Sequence, residues 1–216
     1  RLPRLEKETK ADPKLKPLYD TLSKVKNLLE AGTPVHQAPG IEQEHIADLF
    51  LLTAKPVIYV FNLDDKSLQE GPLQKQVEEL VRPANAIFVS AKLESELRGL
   101  DETDRVEFLE SYGQKESGLV QLIHAAYDTL ELQSFLTAGE KEVRAWTISR
   151  GTTAREAAGV IHTDFARGFI AAQVVDYYDL IEAGSLVAAR SVGKVRTEGR
   201  DYIMQPDDVV EFRFNV

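Results

Sequence analysis

Cysteine is absent from this sequence, which removes disulfides, thiolate metal sites and a cysteine nucleophile together and suits a reducing compartment. Long apolar runs are missing too: no stretch of eighteen apolar residues occurs, so no segment reads as a spanning helix and a cytoplasmic location is the expectation. His36, His45, His124 and His162 fall outside HxxxH and HExxH spacing, and no GxSxG turn presents a serine. Zinc-hydrolase and serine-hydrolase chemistry therefore have no motif to rest on. No GxxxxGK(S/T) loop occurs, and no DxxG with a magnesium-binding hydroxyl can be assembled. Such residues can hold a base but not a triphosphate. The first residue is Arg1 rather than methionine, and a piece of a longer chain is the expectation.

What is present is enough for one large domain or two small ones, since 43% of the 216 residues are hydrophobic. The net charge of −9 is unevenly spread: residues 1–40 carry +3, residues 41–136 carry −10 and residues 137–216 carry −2. That balance argues against wholesale coating of nucleic acid. Leu15, Leu18, Leu22, Val25 and Leu29 follow a 3, 4, 3, 4 spacing after Pro17. This predicts a helix with one narrow apolar seam, open to two readings: a limb of a helical hairpin or an ordinary amphipathic helix. Gly32 and Pro34 end it.

A short helix is predicted from His45 to Leu52, then a strand from Val57 to Phe61 whose continuous apolar run suits a parallel strand covered on both faces. A helix from about Leu68 to Val81 and a strand from Ala86 to Val89 complete a right-handed crossover. Helices follow at about Asp104–Tyr112 and Gly118–Leu130. Beyond a boundary near Phe135–Gly139, strands are predicted at Glu142–Ile148, Gly168–Val175, Asp201–Met204 and Val209–Phe214, with a helix near Thr153–Ile161. This α+β pattern is compatible with a β-grasp.

Ligands of parallel sheets sit beyond the carboxyl ends of the strands. One end carries "NLDD", placing Asn62 and Asp65 in an NxxD spacing; the other carries "SAK", Ser90, Ala91 and Lys92. The two oxygens of one carboxylate can accept the adjacent N1–H and N2 amino donors of guanine, a pair that adenine lacks. Asn and Asp are also common turn residues, so a plain turn and a base-reading edge are both open. The second loop favours a nucleoside pocket, with Lys92 able to pack over a ring. Elsewhere, "HTD" at His162–Asp164 reads as a helix cap, Asp207 and Asp208 as a solvated turn, and Trp146 as core. Arg144, Arg150, Arg155, Arg167, Lys194 and Arg196 are candidates for a basic face, with an ordinary solvated surface as the alternative.

The stretches "LLTAKPVIYVFNLDD", "FVSAKLESEL" and "FLTAGEKEVRAWTISRGTTAREAAGVIHTDFARGFIAAQV", with the terminal "EFRFNV", closely resemble the YchF family of Obg-related P-loop ATPases from about Phe50 to Val216. The resemblance implies an α/β fold with three parts. These are a helical coiled-coil arm over 1–40, the base-binding part of an incomplete Ras-like P-loop NTPase G domain over 41–136, and a TGS-type β-grasp domain over 137–216. It also implies magnesium-assisted hydrolysis of ATP in preference to GTP, and association with ribosomes. By position it implies that Asn62 and, through its backbone, Leu63 contact the adenine. Asp65 then occupies the specificity slot, and Ser90, Ala91 and Lys92 form the second base-side loop. Family members commonly have glutamate where this chain has Asp65, whose geometry is that of guanine readers, so GTP stays open. The phosphate-binding loop, switch regions and water-positioning residue of the family would precede Arg1, and its redox sensitivity has no cysteine here to carry it.

The expectation is thus part of a ribosome-associated ATPase, with no hydrolysis by the 216 residues alone and no metal ligand or catalytic residue among them. A noncatalytic ribosome- or RNA-binding module, touching RNA through Lys14, Lys16, Arg150 and Arg167, is the rival. Neither membrane nor DNA is an expected partner. A ubiquitin-like carrier would need a terminal Gly-Gly, where this sequence has "FRFNV".

Overall fold

The computed structural model describes residues 1–68, 71–139 and 142–215. Parts of the expected helix 68–81, of "LTAGEK" and of "EFRFNV" lie outside the described residues. Two compact units divide the chain, Arg1–Ala125 and Ala126–Val216.

In the first unit, α1 (Leu2–Ala11) and α2 (Lys16–Glu30) are joined by a tight turn that Asp12 caps, its Oδ1 accepting the Lys14 amide at 3.0 Å. The seam of α2 buries Leu22 and Val25 against Leu5, Val35 and Ile46, with Leu15 and Leu18 at the margin. Leu29 leaves the core at 41% exposure. The helix predicted at 45–52 is instead a series of single 3-10 turns, Gln43–His45, Ala47–Leu49 and Leu52–Ala54. Phe50 adopts a left-handed backbone (φ 49°) between the last two, which breaks an α-helical ladder, and the hydrogen bonds close at i+3.

β1 (Ile58–Asn62), α3 (Pro72–Val81) and β2 (Asn85–Val89) form the expected crossover, and the two strands pair in parallel from Ile58↔Asn85 to Asn62↔Val89. Pro72 opens α3, where its missing N–H costs nothing. Both faces of β1 are not covered: Tyr59 is 43% and Val60 46% exposed. The sheet has only two strands among the described residues, too few neighbours to enclose an apolar run of this kind. Three helices follow: α4 (Ala91–Leu97), α5 (Glu102–Ser111) and α6 (Gly118–Thr129). Leu68, Leu93, Leu97 and Leu109 make their core with Phe88 and Phe108. A Cβ on Gly118 would stand 2.5 Å from Val89 Cγ1, so only glycine lets α6 begin this close to the end of β2.

The second unit starts earlier than the expected boundary at 136/137. β3 (Leu132–Ala138) belongs to its sheet, and Phe135 is fully buried there. Glu131, at φ 53°, turns the chain out of α6 directly into this strand. β4 (Val143–Ser149), α7 (Ala154–Ile161), α8 (Thr163–Arg167), β5 (Phe169–Asp176), α9 (Tyr177–Ala183), α10 (Leu186–Ser191), β6 (Arg196–Glu198) and β7 (Asp208–Phe214) complete it. The sheet order is β4-β3-β7-β5-β6, with β3 and β7 parallel and the other pairs antiparallel. Phe135, Ile148, Ala154, Ala157, Val174 and Met204 fill the space between sheet and helix, with Trp146 partly buried against them. The predicted strand 201–204 is a loop with one bridge, Ile203↔Thr153. Its backbone is committed to the start of α7, through Ala154 N–H to the Tyr202 carbonyl at 2.7 Å and Met204 N–H to the Thr152 carbonyl at 3.0 Å.

Candidate nucleotide-base site

The parallel register sets the ends of β1 and β2 level, and five of the predicted site residues meet there in one hydrogen-bonded cluster. Asn62, the last residue of β1, accepts the Ala91 amide on Oδ1 at 3.0 Å. Leu63 extends the ladder by donating its N–H to the Val89 carbonyl at 2.8 Å, so its carbonyl is what its backbone can offer a ligand. Ser90 caps α4 and donates its hydroxyl to Asp65 Oδ1 at 2.8 Å. Lys92 donates Nζ to Asp65 Oδ2 at 2.6 Å. The turn reading of "NLDD" falls to the other aspartate: Asp64 Oδ1 accepts the Ser67 amide at 2.8 Å.

The electrostatics follow from these bonds. Asp65 is held below the usual carboxylate range, first by the hydrogen bond from Lys92 and then by that from Ser90. Lys92 is raised in turn by Asp65. The pair is ionised over the whole neutral range, with Lys92 70% and Asp65 24% exposed at the side chain. Two supporting residues carry no sequence signal of their own. Glu94 accepts the Gly118 amide at 2.6 Å and ties α6 to the first turn of α4, while Gly118 provides the room.

The basic candidates divide. Lys14 and Lys16 make no ion pair among the described residues, whereas Arg150 pairs with Asp128 and Arg167 with Asp164. Lys194 is held by Asp179, and Arg144 lies 4.1 Å over the Trp146 ring. Arg155 donates to the Ala166 carbonyl. His162 caps α8, its Nδ1 accepting the Asp164 amide at 3.2 Å. Among the described residues no group of three or more His, Asp or Glu side chains could hold a metal ion.

The solvated-turn reading fails for one member of the Asp207–Asp208 pair. Asp208 is 3% exposed and accepts the Tyr202 hydroxyl at 3.0 Å and the Gln205 amide at 2.9 Å, with Arg196 at 3.5 Å. Burial raises its pKa, and burial next to Asp208 pushes Tyr202 up to about 12. The carboxylate staples the loop after β6 to the start of β7.

The fold and the cluster define an α/β protein with polar strand ends, followed by a separate mixed-sheet unit. Its second unit matches, over residues 132–215, the model of the YchF-GTPase_C family, described as a protein of unknown function (DUF933). The "Ribosome-binding ATPase YchF" of Bacillus subtilis (strain 168) is 42% identical over 205 residues, which are 92% of this chain and 56% of that protein. The protein of the same name from Haemophilus influenzae is 41% identical over 99% of this chain and 60% of its own length. The solved structure of the Schizosaccharomyces pombe YchF GTPase superposes with a TM-score of 0.80 at 33% identity, covering 93% of this chain and 55% of that one. The chain belongs to the YchF family, and it spans a little over half the length of these relatives.

Proposed function

We propose that this chain supplies the base-selecting end and a ribosome-facing TGS-type β-grasp unit of a cytoplasmic, ribosome-associated protein that hydrolyses ATP, with GTP as the second candidate. The observation that carries the reading is the cluster at the strand ends. Asn62 and Asp65 are bonded into the loop of Ser90, Ala91 and Lys92, so the pocket edge is organised before any ligand arrives. Its setting in a family whose relatives are named ribosome-binding ATPases supports the nucleotide and the ribosome as partners. The helical pair α1–α2 is read as part of the coiled-coil arm. No helix among the described residues is long and apolar enough to cross a membrane.

Magnesium belongs to such hydrolysis, but the residues here do not fit it. No group of ligands is assembled among the described residues, and the sequence has no phosphate loop. No hydrolytic step is therefore assigned to this chain. The 216-residue chain is expected to bind adenosine, seen as saturable shifts of the Leu63 and Ala91 amides in a nuclear magnetic resonance titration, and to show no magnesium-dependent ATP turnover. Absence of saturable shifts would overturn the base site; turnover would overturn the division of labour. The rival, a noncatalytic RNA-binding module, would show ribosome cosedimentation that is steeply salt-dependent and indifferent to nucleotide. The ion pairs on Arg150 and Arg167 weigh against it.

A further inference from the structure

The sheet of the second unit has two edges, and they are protected unequally. β6 is three residues long, Arg196–Glu198, and offers little to pair with. β4 is seven residues long, Val143–Ser149, without proline and with an unbroken register against β3. Shortness, proline and bulges are the devices that blunt an edge, and β4 has none of them. Its pairing continues one residue beyond each end: Arg150 donates its N–H to the Glu131 carbonyl at 2.7 Å, and the Glu142 carbonyl accepts the Gly139 N–H at 3.0 Å. Antiparallel bonds alternate, so Arg144, Trp146 and Ile148 turn their backbone groups to β3, while Val143, Ala145, Thr147 and Ser149 turn theirs outward. Among the described residues only the Ser149 carbonyl of that outward row is taken, by the Thr152 amide at 3.2 Å and the Thr152 hydroxyl at 2.6 Å. We propose that β4 is a dimer edge, where two copies of this chain join β4 to β4, antiparallel about a two-fold axis at Trp146.

The outward row selects a strand as the partner, and the charges select a second copy. With Trp146 opposite itself, Ala145 and Thr147 exchange backbone bonds with Thr147 and Ala145 of the second copy, and the Ser149 N–H reaches the Val143 carbonyl of that copy. Glu142 then stands opposite Arg150 of the second copy, an opposite-charge pair that symmetry makes twice. Within one copy Glu142 is only loosely engaged, 3.8 Å from Arg144. Arg150 pairs with Asp128 through one nitrogen, and its guanidinium has further donors. Arg144 of the second copy comes opposite Ile148, beside a groove of about 530 Å³ that Ile148, Arg150, Glu156 and Val160 line. Glu156 engages Thr153 through Oε2, which leaves Oε1 for that guanidinium. The two Trp146 side chains meet at a non-hydrogen-bonded position, where Cα atoms lie about 4.5 Å apart and aromatic pairs interact closely. On the other face, Ala145 of the second copy is small enough to leave room for the Tyr127 ring, whose hydroxyl bonds Thr147 at 2.9 Å. Other registers are worse. An axis at Thr147 would set Arg144 against Arg150, and one at Ala145 would set Glu142 against Ile148.

The test is sedimentation velocity of the 216-residue chain over a dilution series. A monomer–dimer equilibrium is expected. Because Trp146 is the only tryptophan, the dimer should also show an exciton-coupled indole band in circular dichroism that fades on dilution. Ala145→Pro removes an outward N–H that β3 does not use and should leave a folded monomer. Glu142→Arg and Arg150→Glu should each weaken dimerisation by roughly tenfold, since each turns two attractions into repulsions. An equimolar mixture of these two variants should dimerise as well as wild type, because each meets its complement in the other. A wild-type chain that is monomeric at every concentration, a dimer untouched by Ala145→Pro, or a mixture no better than its components would overturn the proposal. If Ala145→Pro fails to fold, the mixture alone decides. A monomer whose cosedimentation with ribosomes is lost in Ala145→Pro would assign the edge to an extended segment of another protein, and would equally overturn the dimer.

Discussion

Asp65 and Asp208 are both aspartates beside a strand, and they titrate in opposite directions. Asp65 is lowered by Lys92 and Ser90, so its contribution to stability is present above the ordinary aspartate value and is lost only as the pH falls through its depressed value. The cluster at the strand ends should therefore survive the pH range in which exposed carboxylates protonate. A carboxyl carbon-13 titration should find Asp65 below the ordinary aspartate value, and Lys92→Met should return it toward that value. Asp208 is raised by burial. What it contributes is complete below the ordinary aspartate value and declines as the pH rises through its own. In the second unit, the stability difference between Asp208→Asn and wild type should change across the acidic range in the sense that wild type gains on acidification. Urea unfolding at several pH values would show it; a flat difference would contradict the buried, raised carboxylate. The NxxD spacing was readable because both residues lie at the end of an apolar run. "DD" before β7 was not, since nothing in the dipeptide says that Tyr202 and Gln205 fold back onto its second member.

At the scale of elements, α7 owes its start to a capping box. Thr153 Oγ1 accepts the Glu156 amide, and the Glu156 carboxylate accepts the Thr153 amide at 2.9 Å. Thr153→Ala should cost about 1 kcal/mol in denaturant unfolding of the second unit. Gly118→Ala should cost about 1–3 kcal/mol in the first, because its methyl must displace Val89. It should also disturb the Ala91 amide, next to the strand that moves. Helices with a clear period and cap, such as α2 and α7, were legible in the sequence, as were both strands of the crossover. β3 was not, because "LQSFLTA" continues the apolar density of α6, and of the two residues that separate them, Leu130 and Glu131, the second turns left-handed with no composition signal for it. The exchange of a strand at 201–204 for one at Arg196–Glu198 has a similar origin: β-forming residues in the loop were claimed by the N-terminus of α7.

For the molecule as a whole, charge and pairing together decide which surfaces can meet a polyanion. Residues 41–136 carry −10 and should be turned away from ribosomal RNA. Lys14 and Lys16 have no carboxylate partner among the described residues, whereas Arg150 and Arg167 do. If ribosome association uses these side chains, Lys14→Ala and Lys16→Ala should each reduce the slope of log affinity against log salt by about one, and Arg150→Ala and Arg167→Ala by much less. Cosedimentation over a salt series would measure it. The separation into an α/β part and an α+β part was visible in the switch from one hydrophobic period to another. Its position, at 125/126, was set by β3 and by pairing across the sheet, which no local pattern contains.

The level ends of β1 and β2 make chain length as consequential as residue identity. Asn62 stands opposite Val89 only because the two strands keep step from Ile58 onward. Each residue advances a strand by about 3.3 Å and reverses the face of every side chain beyond it. Removing a single residue from "PVIYVF" would carry Asn62 out of reach of the Ala91 amide and turn it to the other side of the sheet. Homologues of this segment should then differ freely in which apolar residues they use and hardly at all in how many, and insertions should collect in the loops on the far side of the strands.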